Sequence, residues 1–289
     1  MILVTGASGT VGKEVLHQVV KNGAKHRAMY RSSTEAAKAP SRTETVIADF
    51  AKKETLPAAL QGIESVYLVC SPIPDLVKLE TNMIDACAAA AVKHVVLNSA
   101  LGAGEYNKSF PSWHRKVEDH LRATRLSWTI LRPNSFHQNT VTYYAPSIRT
   151  QGVFYSSLGD SRMSYVDVRD VATAAATALS GREHVGKIYE LNGPEALTSS
   201  AVADKIARHA GRSVKYVDIP MTAQRKTMLD MGMADWQVTA LLDLQQYYLN
   251  GQGGGVDAVL QTLIGRLPIT LDEFIHENAA AFRAQAAQA

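Results

Sequence analysis

The sequence predicts a doubly wound α/β fold, a Rossmann-type parallel sheet with a small C-terminal α/β lobe, and three observations predict the sheet. Short apolar runs alternate with helix-forming stretches from residue 1 to about residue 140. The runs are nearly continuous in apolar character, as strands buried on both faces of a parallel sheet require. The first run opens directly into a glycine-rich turn and then a helix. Such alternation, with short connections, places helices on both sheet faces and a ligand crevice at the carboxyl ends of the strands.

The expected strands are Ile2–Thr5, Arg27–Tyr30, Thr45–Ala48, Ser65–Cys70, His94–Ser99 and Trp128–Leu131. Between them Gly12–Asn22, Thr55–Leu60, Leu76–Ala91 and Ser112–Thr124 read as helices. After Arg132 the pattern loosens into a polar and aromatic stretch, 134–166. A helix Val168–Leu179, a strand Lys187–Leu191, a helix Thr198–Ala210 and a strand Val214–Ile219 follow. Ala223–Asn250 reads as one helical run rich in Met and Leu. The segment Asn250-Gly-Gln-Gly-Gly-Gly255 is either a flexible hinge or a plain surface loop. Thr270 is a natural N-cap for a last helix, Leu271–Ala284, and the terminal AQAAQA is expected to fray. Residues 1–133 thus form the expected nucleotide-binding domain, with 187–191 rejoining it, and 134–289 are mainly the substrate-binding lobe.

With 46% hydrophobic and 20% charged residues, the 289-residue chain can build a full core without a metal or disulfide staple. A net charge of +3, with no run of five basic residues, carries no nucleic-acid or membrane signal. Cys70 and Cys87 sit in apolar stretches without paired spacing and read as buried thiols in a reducing compartment. MILVTGASG lacks a basic start and an apolar leader core, and no stretch reaches the roughly 18 apolar residues of a membrane span. A cytoplasmic protein is expected.

The first strand runs into Gly6-Ala-Ser8-Gly9-Thr10-Val11-Gly12. Glycines in such a turn permit positive φ and close approach of backbone to a pyrophosphate, which the N-terminus of the following helix attracts. The spacing is GxxGxxG, so the loop by itself is only suggestive. A P-loop is excluded, because five residues separate Gly6 from Gly12 and Glu14 stands where a magnesium-binding hydroxyl belongs.

An NAD-binding unit usually carries an acid at the end of its second strand. Here that strand ends in Tyr30-Arg31-Ser32, with no acid before Glu35. Arg31 stands where a 2′-phosphate would lie and Ser32 adds a hydroxyl; a charge-assisted bond is worth roughly 1.5–3 kcal/mol. NADPH is therefore the expected donor, with NADH tolerated. Asp49 and Phe50, after the third strand, either flank the adenine or, for Asp49, cap a helix. Cys70, Ser71 and Pro72 after strand four, and Asn98 and Ser99 after strand five, are expected to line the crevice beside the nicotinamide.

Several passages together are far more specific: TGASGTVG, YRSS, IADF, LQGIESVYLVCSP, HVVLNSA, His114-x-x-x-Glu118, TILRPNSFHQN, YVDVRDVA and LPITLDEF. On these, covering nearly the whole chain, the sequence resembles the NmrA-like atypical short-chain dehydrogenases/reductases. The resemblance implies an NAD(P)-binding domain with a small substrate lobe. It also implies flavin-independent reduction of azo dyes, quinones or triphenylmethane dyes, azo dyes first, or else a nucleotide-sensing regulator without turnover. Neither flavin nor metal is implied.

Short-chain dehydrogenases commonly use Tyr-x-x-x-Lys, and no tyrosine here has a lysine four residues on. Aligning Glu118 with the acid that often follows that pair puts Phe110 in the tyrosine place and His114 in the lysine place. Alcohol oxidation is thereby disfavoured. An electron-poor π system needs only hydride and a proton from water or a nearby His. At i and i+4, Glu118 is expected to orient His114 and raise its pKa. Asn134, Phe136, His137, Tyr143, Tyr144, Phe154 and Tyr155 are the candidate wall for a flat aromatic substrate.

Overall fold

The computed structural model describes residues 1–284. The chain divides into two compact units, Met1–Pro133 with Val168–Leu191, and Asn134–Asp167 with the chain from Asn192 onward. The first unit starts with β1 (Ile2–Val4), α1 (Thr10–Lys21), β2 (His26–Tyr30), the single turn α2 (Ser33–Ala36) and β3 (Glu44–Ile47). It continues with α3 (Leu56–Leu60), β4 (Ser65–Leu68), α4 (Leu76–Ala89), β5 (His94–Asn98), α5 (Ser109–Ala123) and β6 (Ser127–Pro133). The second unit then takes a wide helical turn at Thr140–Tyr144, α6 (Ala145–Gln151) and β7 (Val153–Ser156). The chain returns to the first unit for α7 (Val168–Ser180) and β8 (Lys187–Leu191). It closes the second with α8 (Ser199–Ala210), β9 (Lys215–Asp218), α9 (Met221–Asp230), α10 (Asp235–Leu249), α11 (Val259–Ile264) and α12 (Leu271–Glu277).

The first unit is built on a seven-stranded sheet in the order β3-β2-β1-β4-β5-β6-β8. Every neighbouring pair is parallel. The order reverses between β1 and β4, the switch point at which a doubly wound sheet opens a crevice beyond its strand ends. Period-two alternation divides the apolar strand residues between two faces. Leu3, Val66, Leu68, Val95, Leu97 and Ile130 join a core with Leu56, Leu60, Met83, Ile84, Val117 and Leu121 of α3, α4 and α5. Their fully buried neighbours Val4, Tyr67, Val96 and Leu131 face the other way, where α7 packs against β4, β5, β6 and α1. Alanines dominate the buried side of α7, which lets that helix lie close to the sheet.

In the second unit β7 and β9 form a two-stranded parallel sheet. Phe154 of β7 is fully buried, stacked on Tyr144 at 4.2 Å between ring centres and tilted against Tyr216 at 5.6 Å. The Thr270 hydroxyl accepts from Glu273 N–H and the Glu273 carboxylate accepts from Thr270 N–H, a full capping box for α12.

Three expectations are corrected here. The single run Ala223–Asn250 is two helices, α9 and α10, parted at Gly232, whose φ of +83° no helix interior admits. The helix expected over Leu271–Ala284 stops at Glu277 and gives way to a 3₁₀ turn, Ala279–Phe282. The glycines of 250–255 do not form a free hinge. The Gly253 carbonyl accepts from Ser164 N–H and Asn134 Nδ2, both at 2.9 Å, and a Cβ there would stand 2.4 Å from the Tyr248 ring. All but the first residue of the AQAAQA tail lies outside the described residues. Among the described residues no helix is long and apolar enough to cross a membrane.

Candidate nucleotide site

The turn after β1 is shaped by hydrogen bonds that fix it to the end of β4. Buried Thr5 donates its hydroxyl to the Tyr67 carbonyl (2.9 Å) and accepts from Val69 N–H (3.0 Å). Gly6 then takes φ +58°, and a Cβ on it would meet Val69 Cγ1 at 2.7 Å. Gly9 N–H turns back to the Gly6 carbonyl at 2.8 Å. A Cβ on Gly12 would stand 2.2 Å from that same carbonyl oxygen, so the third glycine is demanded by the approach of α1 to the turn. The helix starts at Thr10, two residues before the expected position, with Gly9 as an N-cap that has no side chain to bond the first turn. Its leading N–H groups therefore face outward without a side-chain acceptor, beside a turn in which Gly6 and Gly9 carry no Cβ. A diphosphate fits this cradle, and Gly6, Ser8, Gly9, Thr10, Val11 and Gly12 are the residues that would hold it.

Arg31 follows β2, exposed, and its guanidinium has no hydrogen-bond or ion-pair partner among the described residues. Ser32 accepts from Glu35 N–H (3.2 Å) and so caps α2. Asp49 accepts from Ala51 N–H (2.9 Å) and its own N–H goes to Thr55 Oγ1 (3.0 Å), a turn-forming role. Phe50 is 9% exposed and belongs to the apolar core, so its ring packs against protein and is poorly placed to flank an adenine.

At the end of β4, Cys70 is half-buried, with its thiol pushed up to about 12, chiefly by burial, while Ser71 and Pro72 are exposed. Buried Cys87 is likewise pushed up to about 12. Asn98 and Ser99 are buried and already engaged. Tyr67 OH donates to Asn98 Oδ1 (3.1 Å), and Ser99 donates its hydroxyl to Glu118 (2.6 Å).

Glu118 does not orient His114, which corrects the expected pairing. Its two oxygens accept from Ser99 and from Arg132 Nε (2.9 Å) and Nη2 (2.7 Å), a bidentate pair closed off from solvent. His114 is 6% exposed with Nδ1 unpartnered, and burial pushes its pKa down to about 4 against the opposing pull of Glu118. The imidazole is therefore neutral near pH 7. Phe110 lies edge-on to Trp113 at 5.3 Å, so the tyrosine place is apolar as well as empty of a hydroxyl.

The candidate substrate residues, all in the second unit, do not form one wall. Phe154 is fully buried, whereas Tyr155, the next residue on β7, points outward at 42% exposure with its hydroxyl on Gln151 (3.0 Å). Tyr143 is exposed, and Tyr144 is stacked on Phe154. Asn134 bonds the Asn192 amide oxygen (3.0 Å) as well as Gly253, and His137 is fully buried 3.6 Å from Asp167. Phe136 is partly buried and pairs its backbone with Val166.

Three residues escaped the sequence reading. Arg132 is the partner of Glu118, fourteen positions away, and no local spacing rule finds it. Glu80 on α4 is fully buried, its carboxyl beside the Cys70 backbone but without a well-formed hydrogen bond among the described residues. Glu35 reaches across to the glycine turn, where Ser8 Oγ donates to it at 2.9 Å.

The NmrA-like family profile matches residues 1–275. The chain belongs to that family. It is 33% identical to the NAD(P)H azoreductase of Xenophilus azovorans across 98% of this chain and 100% of the relative. It superposes on the NADPH-dependent quinone oxidoreductase of Escherichia coli in complex with NADPH with a TM-score of 0.88, 28% identity, and 97% and 99% of the two chains covered. The triphenylmethane reductase of Citrobacter sp. complexed with NADP(H) has a TM-score of 0.87 at 23% identity, covering 96% and 100%, a likeness of fold.

Proposed function

We propose that this NmrA-like protein reduces electron-poor aromatic compounds with NADPH as donor and no flavin between them, azo dyes ahead of quinones and triphenylmethane dyes. The chain is an NAD(P)H-dependent oxidoreductase: full-length relatives at 33% and 28% identity are reductases of this kind, and the cradle fits a diphosphate. When bound, NADPH supplies the hydride. The turn Gly6–Gly12 holds the diphosphate through backbone N–H groups and the α1 dipole, and Arg31 meets the 2′-phosphate.

The observation that carries the acceptor class is that α5 holds no proton-donating pair at Phe110 and His114, the two positions where short-chain dehydrogenases keep their acid–base pair. Phe110 has no proton to give, and buried His114 is neutral, with its pKa at about 4. An alcohol or carbonyl needs a proton moved in step with hydride, whereas an azo or quinone π system accepts hydride first and takes its proton from water. Azo dyes lead because the NAD(P)H azoreductase relative spans the whole chain at the higher identity.

The test is NADPH oxidation, followed by absorbance, against a panel of azo dyes, quinones and triphenylmethane dyes, using protein that shows no flavin spectrum. Turnover is expected with azo dyes and should show no inflection near pH 6.5, the ordinary histidine range. Silence across the panel while nucleotide binds would favour a sensing role, which the missing Tyr-x-x-x-Lys pair also accommodates. Dependence on added flavin would overturn direct transfer.

A further inference from the structure

Five residues beyond the end of β2, the chain returns a carboxylate to the region where that strand itself offers none. Glu35 lies in the single turn α2, its N–H held by Ser32 Oγ at 3.2 Å. Its side chain crosses to the turn after β1 and accepts from Ser8 Oγ at 2.9 Å. The bond joins segments 27 residues apart and bridges the two turns that follow the adjacent strands β1 and β2. In a doubly wound sheet those two turns flank the adenosine ribose of a bound dinucleotide. Glu35 is half-buried there and close enough to help raise the Tyr30 phenol, which burial raises first. Arg31, four residues earlier, is exposed and its guanidinium is free of a partner among the described residues.

On the reading that this crevice takes a nicotinamide nucleotide, we propose that Glu35, anchored on Ser8, acts as the counter-charge to Arg31 and sets the balance between NADPH and NADH. The two side chains act oppositely on the same ribose. A carboxylate accepts hydrogen bonds from free 2′- and 3′-hydroxyls and repels a 2′-phosphate, while a guanidinium attracts the phosphate and gains little from a hydroxyl. With both present, neither nucleotide is excluded, and the preference for NADPH is held to a modest ratio. Both groups are near solvent, so each charge acts with the modest strength of a surface interaction.

Titrating the full chain with NADPH and with NADH, reading the fluorescence change of the reduced nicotinamide, tests this without turnover. Glu35→Gln removes the charge but keeps an acceptor. It should tighten NADPH by roughly three- to tenfold and leave NADH within about twofold. Glu35→Ala removes both and should tighten NADPH similarly while weakening NADH. If the ratio of the two dissociation constants stays within about twofold of wild type in both variants, or both nucleotides tighten equally, Glu35 does not select between them. Those results would leave the proposed function standing. Failure of the wild type to bind either nucleotide would instead remove that function and this inference together.

Discussion

The turn after β1 and helix α5 both bring polar atoms to the carboxyl edge of one sheet, and they dispose of them in opposite ways. In the turn, the N-cap of α1 is a glycine with no side chain to bond the first turn of the helix, and backbone donors are left facing outward. Beside α5 the polar atoms of Glu118, Ser99 and Arg132 are turned on one another and sealed. His114, next to them, is held neutral. Binding capacity and structural rigidity are thus separated along the edge: the open donors suit an anion, and the closed network suits a wall. A cluster of charged residues at a strand end is not a catalytic centre until its own hydrogen bonds have been accounted for.

The largest effect expected is at the open end. Gly12→Ala places a methyl group 2.2 Å from the Gly6 carbonyl oxygen, which neither α1 nor the turn can yield to without moving. Nucleotide affinity should fall by about 100-fold or more, and stability by roughly 2–4 kcal/mol. Wild-type titration curves for that variant would show the close approach is not needed. At the closed end, Glu118→Ala abandons a buried guanidinium and should cost about 3 kcal/mol in denaturant unfolding, the low end of the range because Glu190 lies 3.6 Å from Arg132. Nucleotide affinity of the folded variant should change less than about threefold. A large affinity loss at unchanged stability would reverse the division between the two ends.

The smallest effect concerns a group that is neither open nor paired. Burial raises the Glu80 pKa to about 8, from a usual 4.5. A carboxyl raised on folding stabilises the native state fully below the unfolded pKa, and that stability is lost as pH rises toward the folded value. Glu80→Gln should therefore gain on wild type between about pH 4.5 and pH 8, by roughly 1–3 kcal/mol. A stability difference that does not vary with pH would mean that Glu80 is ionised in the fold.

Much of the architecture was legible because its causes are local. Strands covered on both faces must be apolar throughout, and Thr270 with Glu273 at the third helical position writes a capping box in four residues. The glycine turn was legible for the same reason, since the steric demand at Gly12 comes from Gly6 nearby. What was hidden is what sequence distance hides. Val153–Ser156 is a strand because Lys215–Asp218 pairs with it, and Glu118 is a structural acid because Arg132 arrives from β6. The aromatic wall failed on a rule available beforehand. Consecutive residues of a strand face opposite ways, so Phe154 and Tyr155 cannot share a surface. The break between α9 and α10 takes Gly232 to positive φ and Ala234 to extended backbone, within good helix formers, and a single glycine does not announce its φ.

One topological detail bears on how such reductases can be cut and recombined. Strand β6 is paired along Thr129–Pro133 with Lys187–Leu191, a segment translated only after the 34-residue excursion Asn134–Asp167. A fragment ending at residue 133 would carry every group assigned to the cofactor, yet it would lack both its outer strand and the alanine-faced helix packed on α1. Its last strand would present bare amide and carbonyl groups to any neighbouring chain, an invitation to aggregate. Grafting this module into a chimaera therefore requires two pieces of gene, and a homologue can donate its lobe only as an insertion plus a tail.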